Sequence, residues 1–215
     1  ISPRNPFQPF DQASELRVIG KVAKGVSGTR VRYWSDPQIF VKDAQFSISD
    51  LADRARQTAF LVPGLGIKIV DTRDGTPTET SFRFEGGIGE FANYLAPDAP
   101  VTDTWRIQGS GEFTETIPVL DESGNMVSRE VTRNCDVDIA VRWGQGYETN
   151  VKSFVNIIAT PKGGSHVAGF DQALLKVLRA QVEANARKLK PGNDKIEKDD
   201  VSAGLTAVVT VRLPE

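Results

Sequence analysis

The stretch CDVDIAVRW, residues 135–143, alternates apolar and polar side chains with a period of two. That period is typical of a β-strand with one face in the core and the other in solvent. The apolar face is formed by Cys135, Val137, Ile139, Val141 and Trp143. The single cysteine is therefore predicted to be a core residue and not a reactive thiol. Asp136 and Asp138 fall on the other face, where we expect solvated carboxylates and not an acid–base pair.

Outward from that strand, the flanking segments have the residues and turn signals of further strands. A long hairpin is predicted by TWRIQGSGEFTETIPVL and MVSREVTRNCDVDIAVRW, because DESGN between them is a strong turn signal. A second hairpin is predicted by GIKIVDTR and TETSFRFE on either side of DGTP. Two more β-branched runs, NVKSFVNIIA and GLTAVVTVRLP, also predict strands.

Three segments have the spacing and end signals of helices. The first, residues 47–61, has Ser47 or Ser49 as a candidate N-cap, and the second, residues 86–97, is closed by a proline. The third is predicted to run unbroken from Val167 to Leu189, with apolar residues every three or four positions. Helices among hairpin-connected strands predict an α+β fold with the helices on one side of a mixed sheet.

The first 36 residues look incomplete by themselves. They predict two strands, ELRVIGKVA and TRVRYW, with a turn at KGVSG between them. Because two strands cannot bury an independent core, we expect residues 1–36 to be the tail of a larger domain.

Composition excludes several classes of protein. A net charge of −2 gives no global nucleic-acid signature, so a DNA-binding role would depend on a local patch. No run approaches the roughly 18 apolar residues of a membrane span, and the N-terminus has no signal-peptide core, so we expect a cytoplasmic protein with no membrane partner. One cysteine excludes an internal disulfide and a cysteine-based zinc site.

The stretch PKGGSHVAGF, residues 161–170, contains the single histidine, His166. A glycine-rich turn before a helix can cradle a phosphate, and a histidine beside it can be a general base. No motif completes a catalytic site around it, because a thiol pair with Cys135 would use a predicted core residue and no G-x-S-x-G is present. No metal site or complete dinucleotide loop is predicted either.

Four blocks of this sequence resemble one family, and they occur in the same order. They are AFLVPGLGIKIVDTRDG (59–75), FRFEGGIGEFANYL (82–95), YETNVKSFVNIIATPKGGSHVAGF (147–170) and VSAGLTAVVTVRLPE (201–215). The family is the transducer domain of the ATPase subunit, also called the B subunit, of bacterial type IIA DNA topoisomerases, namely gyrase and topoisomerase IV. The resemblance implies a ribosomal-protein-like α+β fold in which a mixed β-sheet is layered with helices.

The resemblance also implies a division of the chain. Residues 1–36 would be the last strands of a truncated GHKL ATPase domain, and residues 37–215 the transducer domain. Thr29 would be a residual nucleotide-site residue. In the family, a Gln-Thr-Lys loop follows the segment that matches residues 201–215, and its lysine touches the γ-phosphate. We therefore expect that lysine just after Glu215 and no catalytic residue in the chain itself.

Further implications concern DNA and the turn at residues 161–170. Transducers flank the cavity that holds the transported DNA, so Lys162, Arg142 and His166 are candidate contacts to DNA phosphates. The family has a similar G-G-[TS]-H turn, in which Gly163, Gly164 and Ser165 would form the passage into the third helix, with Ser165 as its cap. His166 is then interpreted mainly as an orienting residue.

For the intact ATPase protein, the resemblance implies ATP and Mg²⁺ as cofactors. Its partners would be DNA, the DNA-cleaving A subunit of gyrase or topoisomerase IV, and a second B subunit. The chain would couple ATP binding and hydrolysis to movement of the DNA gate, and by itself would bind no nucleotide and hydrolyse no ATP. A long hairpin between Phe113 and Arg133 resembles that of certain topoisomerase IV subunits. The alternatives are a stand-alone α+β small-molecule kinase-like enzyme and a structural interaction module.

Overall fold

The structure is a computed structural model that describes residues 20–26, 39–41, 45–120, 123–192 and 195–214. The chain forms two compact units, Ile1–Gln45 and Phe46–Glu215.

In the first unit, the described residues include a turn at Lys24 and Gly25. The Val26 N–H donates to the Ala23 carbonyl at 3.1 Å and closes it. Residues 20–23 have no regular structure, and the rest of the two predicted strands, with Thr29, lies outside the described residues. The division at residue 36 into an ATPase tail and a transducer therefore stays a prediction.

The second unit holds the helices and strands that the structure describes. In chain order they are α1 (Ile48–Leu61), β1 (Ile67–Asp71), β2 (Thr78–Phe82), α2 (Gly87–Leu95), β3 (Trp105–Leu120), β4 (Met126–Trp143), β5 (Asn150–Val155), β6 (Ile158–Ala159), α3 (Ser165–Ala184), α4 (Ala186–Leu189), α5 (Lys198–Ser202) and β7 (Leu205–Arg212). Ser47 is the N-cap of α1, and its Oγ accepts from the Asp50 N–H at 3.2 Å. Both predicted hairpins are present, as β1–β2 and β3–β4.

The main sheet has the strand order β3-β4-β7-β5-β6. Strand β7 lies antiparallel to β4 and parallel to β5, so the sheet is mixed as predicted. The β5–α3–β7 segment is a crossover between parallel neighbours, and it is the connection that places α3 over the sheet.

Helices cover both faces of this sheet, so the prediction of helices on one side is wrong. On one face, Ala140 and Val208 pack with Phe60 of α1 and Phe91 of α2. On the other, Val141, Ala207 and Val209 pack with Phe170 and Leu174 of α3. The alternation in β4 identified the α3 face correctly. It did not reveal that the opposite face is also covered.

Asp138 is the clearest consequence of that second covered face. It was expected to be solvated, yet its side chain is only 9% exposed. Its carboxylate accepts from Arg106 Nε at 2.9 Å, from Arg106 Nη2 at 2.6 Å and from Gln108 Nε2 at 3.2 Å. Hydrogen bonding to Asp138 raises the pKa of the Arg106 guanidinium. Asp136, in contrast, is exposed as expected.

The predicted third helix is interrupted. Helix α3 ends at Ala184, and Asn185 separates it from the short α4. The Asn185 side chain donates to the Gln181 carbonyl at 2.8 Å, a local bond that competes with continuation of the helix. Cys135 lies half-buried and unpaired beside α3, which supports the predicted face but not complete burial.

The segment NVKSFVNIIA is not one strand, because Asn156 and Ile157 form a tight turn with φ of 47° and 66°. Asn156 also binds the end of β7. Its Nδ2 donates to the Leu213 carbonyl at 3.0 Å, and its Oδ1 accepts from the Leu213 N–H at 2.8 Å. The turn therefore holds the chain where β7 ends.

We expect replacement of Arg106 by methionine to lower the free energy of unfolding by about 1–3 kcal/mol, because Asp138 would keep a buried charge with only Gln108 as a donor. Methionine retains much of the apolar stem. The measurement is urea denaturation near neutral pH.

Arg83→Met is the matched control, since the Arg83–Glu85 ion pair is exposed on both sides. Its effect should stay within about 0.5 kcal/mol. Equal losses for the two variants would contradict the importance assigned to the Asp138 ion pair.

Candidate functional site

The turn from β6 into α3 requires both of its glycines. Gly163 has φ of 73°, and its N–H donates to the Thr160 carbonyl at 2.9 Å. Gly164 has φ of 158°, and a Cβ there would lie 2.9 Å from the His166 ring. A side chain at either position would strain the backbone or displace the imidazole.

Ser165 does not cap α3, contrary to prediction. The N-cap is Gly164, and no side chain accepts a bond from the first turn. Ser165 is the first residue of the helix itself and is exposed. The turn positions the helix through backbone geometry, since Gly164 O accepts from the N–H groups of Val167 and Ala168, each at 3.1 Å.

His166 takes part in a hydrogen-bonded chain that joins three elements. Its Nε2 lies 3.1 Å from Thr160 Oγ1, which lies 2.7 Å from the Oγ of the buried Ser153 in β5. The Ser153 hydroxyl also lies 3.0 Å from the Thr160 carbonyl oxygen. Within the described residues no carboxylate contacts the imidazole, so a catalytic triad is not assembled. This geometry favours the orienting role.

Two lysines border a cavity of about 460 Å³ next to this turn. Lys162 precedes the glycine pair, Lys152 lies on β5, and both side chains are exposed. Gln57 of α1, Thr160 and Gly163 also line the cavity. Neither lysine forms an ion pair with another described residue. The first turn of α3 contains no acidic residue, so its positive end is not neutralised locally.

Lys152 was not identified from the sequence. The available signal was a cation in the β-branched run before the glycine turn, but a one-dimensional pattern does not show that Lys152 and Lys162 border the same cavity. The structure brings them to one surface because β5 and the turn after β6 are adjacent in space.

Arg142 does not belong to this exposed arrangement, because its side chain is buried and only 7% exposed. Its Nη1 donates to Asn93 Oδ1 at 3.0 Å and its Nη2 to the Asp98 carbonyl at 3.1 Å. Its Nε has no partner among the described residues. A guanidinium held in this way is not available to a DNA phosphate, so the prediction for Arg142 is not supported.

Other kinds of site find little support in the described part of the chain. That part contains no group of three His, Cys, Asp or Glu side chains placed to hold a metal ion. Over the same residues, no helix has the length and apolarity needed to cross a membrane.

We expect Thr160→Val to lower the free energy of unfolding by about 1–2 kcal/mol, because Ser153 Oγ and His166 Nε2 would both lose a partner while the β-branched shape is kept. Denaturant unfolding measures the loss. Thr114→Val on the exposed part of β3 is the control and should be nearly neutral. Equal stability of Thr160→Val and the wild type would show that the chain of hydroxyls contributes nothing.

Comparison with known proteins places this arrangement in a family. Residues 87–215 match the sequence profile described as DNA gyrase B. The chain is 33% identical over 212 residues to the DNA gyrase B subunit of Treponema denticola, covering 97% of this chain and 30% of the relative. It is 36% identical over 212 residues to that of Campylobacter jejuni, covering 99% and 24%. The chain therefore spans less than a third of the length of either relative.

A solved structure is similar as well. The 43K ATPase domain of Thermus thermophilus gyrase B, determined in complex with an aminocoumarin, aligns with a TM-score of 0.59 at 27% identity. The alignment covers 84% of this chain and 43% of that structure. The layered sheet, the glycine turn before α3 and the matches in sequence lead to one conclusion: the chain belongs to the DNA gyrase B family.

Proposed function

We propose that this chain is the transducer part of the ATP-hydrolysing subunit of a type IIA DNA topoisomerase, which couples nucleotide binding and hydrolysis to movement of the DNA gate. The observation that carries the proposal is the family match, which extends over almost the whole chain in the two relatives. The intact protein would use ATP with Mg²⁺ in the cytoplasm. It would assemble with DNA, with a second copy of itself and with the DNA-cleaving A subunit.

We assign no nucleotide-contacting role to the described residues. They contain no metal-binding cluster, and no glycine-rich loop ending in Gly-Lys-Ser or Gly-Lys-Thr occurs in the sequence. Thr29, the proposed residual nucleotide-site residue, lies outside the described part. We therefore assign no step of ATP hydrolysis to these side chains. The stand-alone kinase-like alternative has no support, because the relatives and the similar structure are gyrase B proteins.

The role of this chain is mechanical. A bound ligand shifts a two-state equilibrium only by the difference in its affinity for the two states. A coupling domain must therefore move as a unit when contacts at one end change. Packing of β7 against helices on both faces, together with the Asn156 bonds at its end, supports such rigid-body behaviour.

We propose that the surface around Lys162 and Lys152, together with the start of α3, binds phosphates of transported DNA without reading bases. Exposed lysines that form no ion pair within the described residues suit phosphate oxygens, as does a helix N-terminus, and such contacts carry no sequence information. His166 would act here by positioning the turn. Arg142 is not part of this proposal.

The coupling function can be tested with this chain and with the full-length protein. Together with the A subunit, the full-length protein should pass one DNA duplex through another only when ATP is supplied. This chain alone should show no ATP turnover above background in a phosphate-release assay. Measurable turnover by the chain alone, or ATP-independent strand passage by the full enzyme, would contradict the proposal.

The DNA contact is tested by Lys162→Glu, alone and with Lys152→Glu, in the full-length enzyme. We expect fewer strand passages per ATP hydrolysed. The logarithm of DNA affinity should also fall less steeply with the logarithm of salt concentration, with the slope reduced by about one for each phosphate contact that is lost. ATPase activity without DNA should be unchanged.

Lys176→Glu is the matched control, because Lys176 is an exposed lysine of α3 that does not line the cavity. If it reduces strand passage as much as Lys162→Glu, the effect reflects overall charge and the assigned contact is wrong.

A further inference from the structure

Strand β3 is a long open edge of the main sheet. It occupies the outer position beside β4 and runs for 16 residues. Within the described residues, no other strand pairs with its outer side, and residues 105–116 are all exposed. Such an edge presents a row of unpaired N–H and C=O groups. The opposite edge differs, since β6 has only two residues.

Three devices that protect an edge, namely lysine, proline and a bulge, are missing from the first half of β3, whose charged residues are Arg106 and Glu112. Lysines, prolines and bulges discourage strand addition. Residues 105–113 contain neither lysine nor proline, and Pro118 lies nearer the hairpin tip. The ladder with β4 is unbroken from Trp105 opposite Val141 to Leu120 opposite Met126. Among the residues that the structure describes, nothing occupies this half of the edge, and it can accept another strand.

Two glycines leave room for a close approach. A Cβ placed on Gly109 or on Gly111 would meet no atom within 4 Å. Glycines in an extended strand often mark places where another backbone comes near. Both are on the same face of the strand, because alternate residues point to the same side.

The residues around these glycines form complementary pairs when the strand lies antiparallel to a second copy of itself. In an antiparallel pair with a two-fold axis at Gly109, Trp105 lies opposite Phe113 of a second copy, and Arg106 lies opposite its Glu112. Symmetry repeats both pairs. Moving the axis to Gln108 or to Ser110 places Arg106 opposite Ser110 or Thr114 and loses the ion pair. Opposite charges and aromatic pairs are the cross-strand combinations that stabilise sheets.

The side chains that would pair across the two copies are exposed at the surface. Glu112 is exposed and has no ion-pair partner among the described residues. Arg106 uses Nε and Nη2 to bind Asp138, and a guanidinium has five N–H donors in all. Trp105 is half exposed beside Trp143, with ring centroids 6.0 Å apart, and Phe113 is also exposed. Pairing would cover two aromatic side chains in each copy.

We propose that residues 105–113 of β3 pair antiparallel with the same residues of a second copy, with the two-fold axis at Gly109, so that one sheet continues across both chains. The partner strand is assigned to a second copy of this chain. When residues 105–113 lie opposite the same residues in the reverse direction, their charged and aromatic side chains form complementary pairs. This edge of the sheet is separate from the lysines beside α3.

A cysteine at the axis tests the pairing and its register together. In a Cys135→Ser background, Gly109→Cys would face itself at a Cα separation of roughly 4.5–5.5 Å, which suits a disulfide. Gly111→Cys is the matched control, because position 111 would face Ile107 of the second copy. It would lie roughly 13 Å along the strand from position 111 of that copy. Under mild oxidation we expect the Gly109→Cys chain to form dimers at least about tenfold faster. Equal rates, or no dimer with either variant, would overturn the proposal.

Association without a covalent bond provides the second measurement. The wild-type chain should show a monomer–dimer equilibrium by sedimentation equilibrium, and Glu112→Arg should weaken it about tenfold by placing like charges opposite each other. Glu130→Arg, an exposed change on β4, should leave the dissociation constant unchanged. A monomeric wild type, or equal weakening by both variants, would show that this edge does not join two copies. Circular dichroism verifies that each variant is folded.

Discussion

Burial of β7 on both of its faces is the constraint on which the rest of the second unit depends. Val208 and Val209 are adjacent in sequence and point to opposite sides, one toward α1 and α2 and the other toward α3. A strand covered on both faces must be apolar nearly throughout, and LTAVVTV meets that requirement. Because β4 and β5 pair with this strand, their side chains are also divided between the two helical layers.

The sequence allowed most elements to be predicted, because their signals are local. The Ser47 cap, the turn residues of both hairpins and the period-two pattern of β4 each depend on a few adjacent residues. Most of the errors have long-range causes. Asp138 and Arg142 look solvated in a strand pattern, yet Asp138 is bound by Arg106 and Gln108 of β3. Arg142 is bound by α2 and the loop after it. The turn at Asn156 likewise depends on bonds to the distant Leu213. The break at Asn185 has a local cause, a side-chain bond to the Gln181 carbonyl, which an apolar period does not reveal.

For the candidate site, the sequence identified the turn but only part of its surroundings. The glycines, Lys162 and His166 are contiguous, so one motif contains them. Lys152 and Ser153 come from β5, and only the fold brings them beside the turn. Arg142 shows the opposite error. The basic side chain of Arg142 is buried, and its Nη1 and Nη2 groups donate to Asn93 and to the Asp98 carbonyl.

The two hydrogen bonds between Asn156 and Leu213 attach the residue after β7 to the turn after β5. Strand β7 is bonded along its length to β4 on one side and to β5 on the other. A pull along the strand at Leu213 therefore loads both ladders at once, in shear. Peeling would instead break one bond after another and needs far less force. Tension applied at this end of β7 would displace the sheet and its helices together before it separated the strands.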